Sequence, residues 1–349
     1  MNESFGEFLQ LPEQERRDVF EATARHLDTL ASNIEKDLWV CLVLDGLYNG
    51  LPDGHPRLLF KGGTSLSKAF GLIRRFSEDI DIVVYRDDLG FGTDRDPANP
   101  DLALSGKKRR ALFEELRAAC GDYICGRLRD ELEAVLARVH RNCRVTVDED
   151  DSDGQTILVE YPSLYDGGDA PYVAPRVKIE GGARSAFEPN ESCRVTPYIA
   201  DALDGFDLNV ANITAIVPAR TLLEKILILH GAHCGYRDQS RVPTDRQRIS
   251  RHYYDVAMLA GSDAGRAALK DRALLDAVRA HNLVAFPQAW KKFDEAVPGT
   301  TRLVPQADLR VAIERDYAAM QGMVFGEVPD FDWIMDRLRD AETDLNTIE

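Results

Sequence analysis

Phe60-Lys61-Gly62-Gly63-Thr64-Ser65-Leu66-Ser67-Lys68 and, shortly after it, Ser77-Glu78-Asp79-Ile80-Asp81-Ile82 form the stretch on which the fold turns. Leu58-Leu59-Phe60 is a short apolar run that reads as a strand and meets the pair Gly62-Gly63. Residues 65–73 have helical character, and residues 79–85 are rich in β-branched side chains, so the order is strand, turn, helix, strand. Adjacent glycines let backbone amides approach an anion without a Cβ in the way, and a helix N-terminus favours negative charge. Gly62 and Gly63 therefore read as a phosphate cradle, to which Thr64 and Ser65 add hydroxyls and Lys68 a cation. The competing reading is a plain turn. The order Gly-x-x-x-x-Gly-Lys-Ser is absent, so a P-loop ATPase is not supported.

Asp79 and Asp81 stand two apart on the second strand, which sends both carboxylates to one face while Ile80 and Ile82 point into the core. Two carboxylates so placed suit a pair of divalent ions about 4 Å apart, which activate an attacking oxygen and stabilise a leaving pyrophosphate. Magnesium is the expected metal. Alternation of this kind also occurs on the solvated face of an edge strand, and it is the nearby glycine turn that favours chemistry. A third metal-binding carboxylate is expected from a neighbouring strand. Glu180, which ends Arg176-Val177-Lys178-Ile179-Glu180 before Gly181-Gly182, is preferred, and Glu160 is its rival.

Around this centre the chain is 349 residues long, with 44% hydrophobic and 29% charged residues, enough for about two domains. No run approaches the roughly 18 apolar residues needed to span a bilayer, and the acidic start Met1-Asn2-Glu3-Ser4 lacks an export signal, so a cytoplasmic protein is expected. Six cysteines without a Cys-x-x-Cys pair suggest reduced thiols, with neither zinc nor disulfides. A net charge of −16 argues against non-specific wrapping of nucleic acid. A local basic segment, Arg237, Arg241, Arg246, Arg248 and Arg251, remains a candidate for RNA phosphates, for a protein partner or for a triphosphate.

Periodicity predicts helices over residues 13–30 and from Ser32, where Ser32 and Glu35 have capping-box spacing, to Asn49-Gly50. It predicts a helix over 107–139 broken near Gly121, strands over 143–147, 156–161 and 176–180, and a loop-rich stretch leading to Asn212. Helices alone follow, over 218–231, 250–259, 263–280, 307–320 and 333–346. The expected organisation is an α+β core over residues 1–211 and an α-helical domain over 212–349.

In the helical part, Lys225 lies on an otherwise apolar helix with Leu222, Leu223, Ile226 and Leu227. It is read either as an exposed charge on a packing helix or as a cation for a departing pyrophosphate. Arg251 and His252 stand four and three residues before Asp255, so their polar groups can share a helix face. Asp255 then orients Lys225 or a substrate hydroxyl, or simply pairs with Arg251.

Taken in order, the Gly62-Gly63-Thr64-Ser65 turn, the Ser77-Glu78-Asp79-Ile80-Asp81 strand, the Glu224-Lys225 helix and Arg251-His252-Tyr253-Tyr254-Asp255 resemble the AbiEii/AbiGii nucleotidyltransferase toxin family. The likeness begins at Ile34-Glu35-Lys36-Asp37-Leu38-Trp39-Val40 and fades after the Asp255 helix. It implies a polymerase β-like nucleotidyltransferase core with a mixed sheet, joined to a helical domain. The implied role is that of a toxin, in a toxin–antitoxin or phage-defence system, beside a separately encoded antitoxin. It further implies transfer of a nucleotide from an NTP to an RNA acceptor, tRNA in some members. By position, Asp79 and Asp81 match the metal-binding pair, Ser77 and the glycine turn the triphosphate contacts, and Lys225 and Asp255 the later catalytic motifs. Two further readings remain: the same chemistry on a small molecule or protein side chain, and a catalytically silent nucleotide-binding module.

Overall fold

The computed structural model describes residues 1–165, 174–203, 205–244 and 247–347. The chain divides into two compact units. The first comprises Met1–Ala69, Phe76–Pro97 and Leu104–Ile216; the second comprises Phe70–Arg75, Ala98–Ala103 and Val217–Glu349.

Among the described residues, the first unit is built on seven strands: β1 (Leu58–Lys61), β2 (Asp79–Val84), β3 (Arg144–Val147), β4 (Thr156–Glu160), β5 (Arg176–Glu180), β6 (Asn190–Val195) and β7 (Val210–Ile216). They form one sheet in the order β3-β4-β5-β2-β1-β7-β6. β2 runs parallel to β5, and β1 parallel to β7, while the remaining neighbours are antiparallel, so the sheet is mixed and the protein is α+β. Helices α1 (Ser4–Leu9), α2 (Glu13–Leu27), α3 (Ala31–Asp45), α4 (Gly62–Lys68), α5 (Gly106–Asp122) and α6 (Arg129–Val139) complete the unit. α3 packs on β2, β5 and β7, and its Ile34, Leu38, Trp39, Leu42 and Val43 are buried, which explains why this helix is apolar on more than one side.

Several expectations need correction. Ser32 does not cap α3, whose N-cap is Leu30. Glu35 instead turns inward, accepting hydrogen bonds from the Ser163 hydroxyl and, at 2.7 Å, from the Leu164 amide. The stretch read as loop-rich up to Asn212 contains β6 and the start of β7. β6 is a polar edge strand with only Val195 buried, and Asn212 in β7 has a φ of +61°, so neither shows period-two patterning. β7 runs through residue 211 and carries the first unit to Ile216. The helix expected over 65–73 starts earlier, at Gly62, and stops at Lys68.

The second unit is helical: α7 (Pro218–Gln239), α8 (Ser250–Ala260), α9 (Asp263–Lys270), α10 (Arg272–Ala285), α11 (Ala307–Met320) and α12 (Phe331–Asn346). Pro218 opens α7 at a position where its missing N–H costs nothing. The single helix expected over 263–280 is two, because the Asp271 carboxylate caps α10 by accepting from the Leu274 amide at 2.9 Å. α8 packs against α7, α11 and α12, burying Tyr253, Tyr254, Val256 and Leu259. No described helix is long and apolar enough to cross a membrane.

Candidate active site

β1 delivers the chain to Gly62, whose φ of +81° is open to glycine and strained for any other residue. The carboxylate of Asp81 fills the space a side chain would need: a Cβ on Gly62 would lie 1.9 Å from Asp81 Oδ2. The turn and the acid are thus packed against each other. α4 begins at Gly62, and Thr64 and Ser65 in its first turns are fully buried. The Thr64 hydroxyl donates to the Asp79 carbonyl and stands 2.9 Å from Ser77 Oγ, so it laces the turn to the segment carrying the acids. Ser65 Oγ donates to the Gly62 carbonyl at 2.9 Å. Both hydroxyls shape the turn from within.

On β2, Ile80 and Ile82 are buried while Asp79 and Asp81 are half-buried, as the alternation requires. Asp81 faces Lys61 of β1 on one side and Glu180 of β5 on the other, and Asp79 faces Lys178. Side chains directly opposite each other leave a sheet on the same face, so Asp79, Asp81 and Glu180 share one face. Glu160, the rival, faces Arg176 at one end of β4, while Thr156, at the other end, occupies the rung of Glu180. The Glu180 carboxylate is in turn 2.9 Å from Lys178 Nζ. Among the described residues, no three His, Cys, Asp or Glu side chains are preassembled as a metal-binding set.

The Asp79 carboxyl is raised to about 6, first by burial and then by the negative charges of Glu78, Glu180 and Asp81, with Lys36 pulling the other way. Lys36 belongs to three consecutive buried charges of α3, of which the sequence reading gave Glu35 a capping place and Lys36 and Asp37 no role of their own. Glu35 holds the 163–164 segment, Lys36 pairs with Glu78, and Asp37 pairs with Lys68 at 2.7 Å. Lys68 is only 4% exposed at its side chain and also lies 3.6 Å from the centre of the Tyr198 ring. Its charge is committed inside the fold, which corrects its expected place among the phosphate donors.

A profile described as nucleotidyl transferase AbiEii toxin of type IV toxin–antitoxin systems matches residues 46–337. The chain belongs to this family. Membership makes it a nucleotidyltransferase toxin of a type IV toxin–antitoxin system, with a nucleotide substrate and a separate antitoxin. Among solved structures it is similar to MenT4, a nucleotidyltransferase toxin from Mycobacterium tuberculosis H37Rv, with a TM-score of 0.47, 20% identity, and coverage of 95% of this chain and 90% of that one. No curated protein matches in sequence.

The later motifs of this AbiEii-family chain meet within the helical unit. Asp255 on α8 is fully buried and accepts two hydrogen bonds from the Arg75 guanidinium, both 2.8 Å, while Lys225 Nζ on α7 stands 2.9 Å from its Oδ2. His252 Nδ1 is 3.4 Å from the same Nζ. Burial works to raise the Asp255 carboxyl, but Arg75 and Lys225 outweigh it and hold it far below the usual range. Burial also pulls Lys225 and His252 downward, helped by Arg251. Arg75 was not anticipated; its only local signal is its place four residues before Asp79.

The basic segment is less available than its composition suggests. Arg237 bonds Asp238 at 2.6 Å and Glu295 at 2.9 Å, and Arg241 lies 4.2 Å from the centre of the Trp290 ring. Arg251 Nε is buried without a partner among the described residues, and Arg246 lies outside them.

Proposed function

We propose that this AbiEii-family toxin is a metal-dependent transferase with a polymerase β-like core that moves a nucleotide from an NTP to an RNA acceptor, with tRNA as the preferred class. The packing of Gly62 against Asp81 carries this reading, because it brings the chain's anion-favouring turn to its pair of acids. The donor set fits magnesium: it is all oxygen, and its crowded negative charge, which adds to burial in raising the Asp79 carboxyl, is what a divalent cation relieves. Asp79 and Asp81 would hold the metal, with Glu180 joining once it leaves Lys178. Bound metal supplies charge stabilisation to the attacking and departing oxygens.

The protein's own contribution is placement. The Gly62–Thr64 turn orients the triphosphate, and the Thr64 hydroxyl fixes the Asp79 carbonyl and Ser77. An acceptor hydroxyl then attacks the α-phosphorus, and the bond to the β-phosphate oxygen breaks. Arg75, Asp255 and Lys225 serve as positioning residues that hold the 70–75 segment on α7 and α8. The RNA acceptor rests on the family resemblance.

The test is incubation of the toxin with each labelled triphosphate and total RNA, with and without magnesium. Labelled RNA that disappears on chelation and in Asp79→Asn supports the proposal. Absence of labelled RNA with all four nucleotides overturns it.

A further inference from the structure

Among the described residues, four lysines lie on the elements around the acids, and three of them are neutralised by carboxylates. Lys36 pairs with Glu78, Lys68 with Asp37, and Lys178 with Glu180 at 2.9 Å and Asp148 at 3.5 Å. Lys61 is different. Its Nζ donates to Ser185 Oγ at 2.9 Å, and among the described residues it forms no ion pair. An ammonium has three donors, so this contact leaves capacity for a ligand.

Its position is specific. Lys61 is the last residue of β1, directly before Gly62, and it faces Asp81, which faces Glu180. The three therefore occupy one rung across three strands, with side chains on one side of the sheet. Ser185 is itself a fixed peg, because buried Arg86 donates to the carbonyls of Ala183 at 3.1 Å and Ser185 at 2.8 Å while pairing with Asp96 at 2.7 Å. An uncommitted cation held beside two acids is suited to the negative charge that those acids and their metal do not themselves bind.

We infer that Lys61 contacts the substrate in the transfer reaction, donating from its ammonium to a non-bridging phosphate oxygen of the triphosphate. This rests on the nucleotidyl-transfer reading above. As the acceptor oxygen bonds to the α-phosphorus, the bond from that phosphorus to the β-bridging oxygen breaks, its electron pair leaves with pyrophosphate, and the acceptor proton passes to water. The positive charge of Lys61 offsets the charge that grows on the departing group.

The experiment compares wild type, Lys61→Met and Lys61→Arg, each shown folded by circular dichroism. It measures transfer kinetics and calorimetric binding of each magnesium triphosphate and of inorganic pyrophosphate. Lys61→Met is expected to lower kcat/KM by about 10²- to 10³-fold and to weaken pyrophosphate binding about tenfold, with Lys61→Arg recovering much of both. A merely structural lysine would not single out pyrophosphate. Wild-type transfer with Lys61→Met within threefold overturns the inference and leaves the transferase reading standing. Triphosphate binding that depends on Lys61 without any transfer supports the contact and sinks the transferase reading. A wild type that binds no triphosphate overturns both.

Discussion

Gly62 and Asp81 occupy each other's space: the glycine has no side chain where the aspartate carboxylate sits, 1.9 Å from an ideal Cβ. The φ of +81° at Gly62 adds a second reason for glycine at this place. Gly62→Ala is expected to displace Asp81 and to cost about 1–2 kcal/mol in backbone strain alone. Transfer should fall by at least about 10²-fold, the scale on which a misplaced reacting group is felt. Urea unfolding alongside a transfer assay checks both; full activity in Gly62→Ala would mean that the close approach has no bearing on the chemistry.

Asp79 carries its charge at a cost. Its carboxyl is raised to about 6 by burial, then by Glu78, Glu180 and Asp81. In the unfolded chain an aspartate titrates near about 3.9, so the folded state binds the extra proton between the two values. Stability from this group is present below the unfolded value and is lost as pH rises through about 6. Without metal, Asp79→Asn should therefore stabilise the protein by about 1–2 kcal/mol at pH 7.5, and by little at pH 4. Denaturant midpoints at the two pH values provide the comparison.

The same residue sets how metal binding responds to pH. Asp79 must be charged to hold a cation, so magnesium affinity should fall about tenfold per unit below pH 6. Binding should release about half a proton at pH 6, close to one at about pH 5 and almost none at about pH 8. Calorimetry in buffers of different ionisation enthalpy measures this directly, and a proton count independent of pH would place the cation away from Asp79.

Local pattern and distant pairing account for what was legible. The order strand, turn, helix, strand and the shared face of Asp79 and Asp81 follow from spacing that any single segment displays. That Glu180, and not Glu160, shares the rung of Asp81 could be read only from the register of β5 beside β2. The pairing of Lys68 was not legible because its partner, Asp37, sits on a distant helix whose charges give no local sign of burial. Arg75 escaped notice because its partner is 180 residues further along. Polar residues whose purpose is tertiary leave no periodic trace, and β6, an edge strand with one buried side chain, leaves almost none.

Asp255 differs from Asp79 in sign. Fully buried, it is held far below the ordinary carboxylate range because Arg75 and Lys225 outweigh the penalty of burial. Its contribution to stability is present above the unfolded value and is lost as pH falls toward the depressed folded one. Asp255→Asn leaves two buried cations facing a neutral amide and should cost about 3–5 kcal/mol at pH 7. Lys225→Met should cost less, since the two 2.8 Å bonds from Arg75 would still satisfy the carboxylate. Thermal unfolding from pH 7 downward should show the deficit of Asp255→Asn shrinking only in strongly acidic solution. A deficit equal to that of Lys225→Met would mean that Arg75 contributes nothing to holding this carboxylate.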